Sequence, residues 1–246
     1  MRLVTLAFVA LVASPLLVAC GPKKNGVLPG GPAAAKECTP GDMADCKTQC
    51  ESSKNGASCN TLATMFAKGQ GAPMDPAKAA TYFDLACNYG SGAGCTAAGR
   101  VYTDGVGVPA DDQRAYGYYV RGCDQNDWDG CVEAGSALWA GKGVEADNKH
   151  AKVLFVKACE NLSGLGCYWR GVTYEQGIDE TQDDERAAAY FDRGCFLGNM
   201  KACASFGNCL VLGLGVDEDL DKGTQLLDKA CKTGNTWACG RLKEVQ

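Results

Sequence analysis

The 246-residue chain sets 24 Lys and Arg against 29 Asp and Glu, a net charge of −5, and carries 16 cysteines beside a single histidine. An acidic balance with no basic stripe argues against nucleic acid and against direct docking on anionic lipid. So many cysteines point to an oxidising compartment, provided that the chain carries an export signal.

That signal is the first element in chain order. Arg2 is a minimal basic start, and residues 3–18 form an apolar stretch interrupted by Ser14 and Pro15. The stretch is too short to span a bilayer comfortably and reads as the core of a signal peptide over residues 1–19. It closes on Leu17-Val18-Ala19-Cys20, which resembles the bacterial lipobox. The resemblance implies cleavage before Cys20, lipidation of its sulfur and acylation of the new amino group. Two or more chains suffice for stable attachment without a spanning helix. The expected location is therefore the bacterial cell envelope, on the periplasmic or outer-surface face, with the outer membrane as first choice. Residues 20–36, the lipidated cysteine and a stretch rich in Gly, Pro and Ala, read as a flexible linker.

An N-terminal cap is expected over residues 37–58. Cys38 and Cys46 stand eight apart and would tie down a helix around residues 42–52. Four cysteines lie close together here, Cys38, Cys46, Cys50 and Cys59, and they allow three pairings.

From Cys87 onward the cysteines keep one clock. The pairs are Cys87/Cys95, Cys123/Cys131, Cys159/Cys167, Cys195/Cys203 and Cys231/Cys239, each i, i+8, and each pair follows the last by 36 residues. Cys50/Cys59 is a related pair with one extra residue in its loop. A constant period of this size means a repeat array without a single central core, over residues 59–246. Each unit reads as two helices. In the first, Gly99, Gly135, Gly171 and Gly207 permit close approach, with Tyr102, Leu138, Tyr174 and Leu210 one turn further on. In the second, Ala79, Ala115, Ala151 and Ala187 precede the pairs Tyr82-Phe83, Tyr118-Tyr119 and Tyr190-Phe191 at steps of three and four. Gly105 and Gly107, like Gly141 and Gly143, end the first helix, and Asp111, Asp147 and Asp183 are natural caps for the second.

These rows resemble the Sel1-like repeat, a relative of the tetratricopeptide repeat. Ala98-Gly99, Tyr102, Gly105, Gly107-Val108, Asp111 and Arg114-Ala115 carry the pattern in one unit, and it recurs five times in register. The fourth unit departs at Asp179, where a second loop glycine is expected. The added cysteine pairs resemble a secreted, cysteine-rich branch known from gastric bacteria. The resemblance implies an all-α fold: about five αα-hairpins plus cap helices in a right-handed superhelical solenoid with a concave face, stapled by disulfides.

The spacing accounts for the sulfur. Each i, i+8 pair flanks a short loop between antiparallel helices, which brings the two residues within disulfide reach. The expected disulfide cysteines are Cys50, Cys59, Cys87, Cys95, Cys123, Cys131, Cys159, Cys167, Cys195, Cys203, Cys231 and Cys239. No CxxC pair is present and His150 stands alone, so neither a metal site nor any cofactor is expected. Cys209 falls in a row with Met65, Val101, Ala137 and Thr173 and reads as a buried free thiol.

Catalytic signals are sparse. His150 takes the place held elsewhere by Lys78, Arg114, Arg186 and Lys222, and reads as a solvated residue of the second helix. Lys232-Thr233-Gly234 echoes a serine β-lactamase motif, but no Ser-x-x-Lys and no Ser-Asp-Asn accompany it. The first expectation is a lipid-anchored, extracytoplasmic scaffold that binds an unknown protein, peptide or cell-wall ligand on its concave face. The cysteine-rich relatives imply the alternative, a weak penicillin-binding, β-lactamase-like hydrolase. In relatives of this fold the first helices line the concave side. Positions there that vary between repeats are not set by repeat packing, which singles out Arg100, Glu133, Ser136, Trp169 and Asn208 as binding candidates.

Overall fold

The computed structural model describes residues 36–178 and 181–245. The expected signal peptide, Cys20 and all of the linker but Lys36 lie outside the described residues, as does Asp179. Among the described residues the chain forms twelve helices and no strand. They are α1 (Met43–Glu51), α2 (Gly56–Lys68), α3 (Pro76–Asn88), α4 (Gly92–Asp104), α5 (Asp112–Asp124), α6 (Trp128–Ala140), α7 (Asn148–Glu160), α8 (Gly164–Glu175), α9 (Asp184–Phe196), α10 (Met200–Leu212), α11 (Leu220–Lys232) and α12 (Thr236–Val245). Helices α2 to α11 make five hairpins, α2–α3 through α10–α11, with α1 before them and α12 after. The all-α repeat architecture is the one expected from the sequence.

Most helices begin behind a side chain that caps them. Asp75, Asp111, Asp147, Asp183 and Asp219 stand before the five second helices, and each side chain accepts from the backbone N–H three residues on. Most first helices start behind Asn55, Ser91, Ser163 or Asn199 in the same way. The loop inside each hairpin is fixed by a glycine that no other residue replaces cheaply. Gly143 has φ +72°, and a Cβ there would lie 2.1 Å from the carbonyl oxygen of Asp112 in the preceding repeat.

The two helices of a hairpin close ring against glycine. A Cβ on Gly99 would meet the Tyr119 ring at 2.4 Å, one on Gly135 the Phe155 ring at 2.6 Å, and one on Gly171 the Phe191 ring at 2.5 Å. One turn on, the first, second and fourth hairpins each stack two rings: Phe66 on Tyr82, Tyr102 on Tyr118, and Tyr174 on Tyr190, with centroids 5.4 to 5.6 Å apart. A cation covers the first ring of each stack, from Lys78, Arg114 and Arg186 in turn. His150 holds the same place in the third hairpin, where Leu138 replaces the ring. It is exposed and its Nδ1 pairs with Asp147 instead.

Between hairpins the array is held by sulfur and by backbone. Among the described residues seven disulfides are formed: Cys38–Cys46, Cys50–Cys59, Cys87–Cys95, Cys123–Cys131, Cys159–Cys167, Cys195–Cys203 and Cys231–Cys239, with Cα atoms 4.3 to 4.7 Å apart. The first of these settles the open pairing in the N-terminal segment. From Cys87 on, each bond joins the last turn of a second helix to the first turn of the next first helix, so each one staples neighbouring repeats. A cation in the following second helix then reaches back: Lys157 Nζ donates to the Cys123 carbonyl at 3.4 Å and Arg193 Nη2 to that of Cys159 at 3.2 Å. Both sit at the negative end of a helix. The core is a chain of small clusters, most of them shared by adjacent hairpins; Cys123, Leu138 and Phe155 belong to one and Ala187, Phe191 and Leu210 to another. Successive first helices touch one another more extensively than successive second helices do.

Candidate functional site

The first helices present a common stripe at steps of four and three, and the five candidate residues all lie on it. At its start, Arg100 of α4 reaches across to α6, with Nε 3.1 Å from Glu133 and Nη2 3.4 Å from Asp129. All three are partly exposed, so this network adds little stability and mainly fixes side-chain direction. Ser136 is half-buried one turn further along α6. The structure thus joins Arg100 and Glu133 to each other, and keeps them apart from Trp169 and Asn208.

Trp169 is not a free-standing surface ring. It is half-buried, stacked on Phe155 at 5.3 Å and 11°, with Trp139 at 5.9 Å and Tyr168 edge-on at 5.5 Å. Its remaining surface borders a cleft of about 710 Å³ built from α8, α10 and the start of α12. Asn208 lies in the same cleft, where its Oδ1 accepts from Arg241 Nε at 2.8 Å. The other walls include Tyr168, Glu175, Lys201, Ser205 and the half-exposed Trp237. Aromatic surface with a few polar groups, open to solvent on one side, is the usual composition of a recognition cleft.

The electrostatics of the cleft are mild. Burial, and then the nearby Asp184, raise the Glu175 carboxyl above its ordinary value. Burial also raises the Tyr168 hydroxyl, with Glu175 adding to the effect. Cys209 is free and buried, and its thiol is pushed up to about 11 by burial and by Glu175 and Asp184. A thiol held protonated is a small apolar side chain and no nucleophile. Thr233 and Gly234 line the cleft, but Lys232 pairs with Asp228 on its own helix at 2.6 Å.

Trp237 escaped the sequence reading, although its row was accessible: it follows Asp129, Leu165 and Lys201 at the 36-residue step. Arg170 had a similar signal. It is buried in α8 where the equivalent residues are Leu62, Ala98, Ala134 and Phe206. Its guanidinium donates to the hydroxyls of Thr173 and Tyr174 and lies 3.9 Å from the Tyr174 ring centroid.

The Sel1 repeat family model matches residues 56–91, 92–127, 128–161, 164–199 and 201–235, one match per hairpin. The chain belongs to the Sel1 repeat family. Among solved structures it is similar to a Sel1 repeat protein from Oxalobacter formigenes, with 22% identity, TM-score 0.74, and coverage of 81% of this chain and 80% of that one. It is also similar to c5321, a protective antigen of uropathogenic Escherichia coli that displays an SLR fold. There the identity is 23% and the TM-score 0.71, over 82% of this chain and 43% of the antigen. Cysteine rich protein B of Helicobacter pylori is 31% identical over 54% of this chain and 96% of its own, with TM-score 0.44. A search of curated proteins finds no match. Sel1 repeats build scaffolds for protein–protein interaction, and this Sel1-repeat chain is one. Its many disulfides mark an oxidising, extracytoplasmic environment.

Proposed function

We propose that this Sel1-repeat chain is a lipid-anchored scaffold of the bacterial envelope that receives a segment of a partner protein on its first-helix face, at the cleft beside Trp169. The observation that carries the reading is the cleft itself. Three consecutive first helices contribute to it, and Trp169, Trp237 and Asn208 bring the aromatic and amide chemistry that anchors a bound chain. The first helices are also the more closely packed row of the array, as the inner side of a curved solenoid must be. Anchoring rests on Leu17-Val18-Ala19-Cys20, and a linker after it would let the array stand clear of the bilayer.

The test places a photo-crosslinking amino acid at Ser205, in the cleft, and separately at Val153, exposed on a second helix. In the native host, Ser205 is expected to give one dominant adduct that Trp237→Ala with Asn208→Ala suppresses, and Val153 none. Equal labelling from both positions would remove the cleft as the binding site. Anchoring is tested apart: Cys20→Ala should leave the protein soluble or unprocessed, and an unchanged membrane fraction would refute lipidation.

A further inference from the structure

The repeat supplies its own control: a position that departs from its equivalents 36 residues away is not explained by the fold they share. Four such departures, three of them partial, converge on one groove of about 460 Å³, along the loops that join the second hairpin to the third, the third to the fourth and the fourth to the fifth. Leu162 is the clearest. Its equivalents are Gly90, Asn126, Gly198 and Gly234, all in the left-handed region, and Leu162 sits there too at φ +66°. Glycine and asparagine tolerate that backbone; leucine does so under strain. The side chain gains no burial in return, since it is 68% exposed. Trp128 stands where Gly56, Gly92, Gly164, Met200 and Thr236 begin the other helices of its row. Leu165 stands in the row of Ala57, Ala93, Asp129, Lys201 and Trp237, and Leu197 in that of Tyr89, Gln125, Asn161 and Thr233, so each is apolar where most of its equivalents are small or polar. Phe196, the chain neighbour of Leu197, is 89% exposed where its equivalents are Asn88, Asp124, Glu160 and Lys232. Strain and exposed apolar surface at one place, against the pattern of the other repeats, mark an interaction surface.

The charge around the groove states the chemistry of its occupant. Asp127 and Asp129 line it, and Asp124 and Glu160 end the helices α5 and α7 that lead into its loops. Asp127 makes no side-chain capping bond to its own helix, so its carboxylate is not used there, whereas Asp129 is shared with Arg100. The nearby cations are engaged: Lys157 bonds the Cys123 carbonyl and lies 6.0 Å from the Trp128 ring centroid, and Arg193 bonds that of Cys159. An acidic rim repels a phosphate-bearing surface. We infer that the groove along the inter-repeat loops, centred on Leu162, seats a short extended segment of a partner protein that carries basic residues beside apolar ones. This face is distinct from the cleft beside Trp169, and the inference stands or falls without it.

The test uses the full chain on an array of synthetic heptapeptides in three classes: Lys/Arg with Leu/Phe, Asp/Glu with Leu/Phe, and wholly polar. The basic–apolar class should be retained and the other two not. Leu162→Asn, which installs the residue of the second repeat, should leave the melting temperature equal or higher while weakening the retained peptides at least ten-fold. Leu197→Thr and Asp127→Asn should each weaken them too, with the fold intact. Retention of all three classes alike, or binding that survives Leu162→Asn, would overturn the proposal. Binding lost on Trp237→Ala and kept in Leu162→Asn would overturn it as well, by moving the peptide to the first-helix cleft.

Discussion

Gly135 and Gly117 are both helical glycines, and their surroundings make them behave oppositely. A methyl on Gly135 runs into the Phe155 ring, whereas one on Gly117 meets nothing within 4 Å. Gly135→Ala should therefore destabilise the protein by about 1–3 kcal/mol through overpacking. Gly117→Ala should stabilise it by about 0.5–1 kcal/mol, because alanine loses less backbone freedom in a helix. Paired urea titrations check both signs. Cys209 gives a second residue-scale outcome. Its folded value, about 11, stands above the ordinary 9.0. The stability that goes with the neutral thiol is therefore complete below pH 9 and is lost as pH rises toward 11. At pH 8 the native protein should resist iodoacetamide at Cys209 and react within minutes once unfolded in urea. The row that holds Cys209 was legible as apolar from Met65, Val101 and Ala137. The burial of Arg170 was not, because its stability depends on the hydroxyls of Thr173 and Tyr174, which the sequence places one turn away without saying which way they point.

Helices in this array are set by their ends. Asp219 accepts from the Lys222 backbone N–H at 2.9 Å, and Asp219→Ala should cost about 1 kcal/mol in thermal or chemical melting. The equivalent carboxylates of Asp75 and Asp147 are held below their ordinary value by the backbone N–H groups of Lys78 and His150. Their caps are therefore in force above the ordinary carboxylate range and are lost as pH falls through the depressed values. The staples act one scale up. Each closes a loop of about nine residues, worth roughly 2–3 kcal/mol in the chain-entropy account, so the double change Cys159→Ala with Cys167→Ala should cost about that much by urea titration. Helix ends, loop glycines and staples all repeat at 36 residues, and a period is what a single sequence displays best. The cleft beside Trp169 was legible only in part for the opposite reason. It needs α8, α10 and α12 together, and its walls are set by how far each hairpin turns against the next, which no period reports.

At the scale of the whole molecule, stability is a sum over neighbours rather than the property of one core. Reduction of all seven disulfides should lower the melting temperature strongly and broaden the transition, because hairpins freed of their staples can open one at a time. Calorimetry with and without reductant checks this, and a sharp, unshifted transition would contradict it. The placement of sulfur also governs how such a chain can change length. Each 36-residue block holds one half of the staple behind it and one half of the staple ahead, as Cys131 and Cys159 do in the block around α6 and α7. Excising residues 124–159 would bring Cys123 eight positions before Cys167, restoring the same loop and stranding no thiol. The array can thus lengthen or shorten by whole units, through unequal recombination of its gene, without passing through a mispaired ancestor.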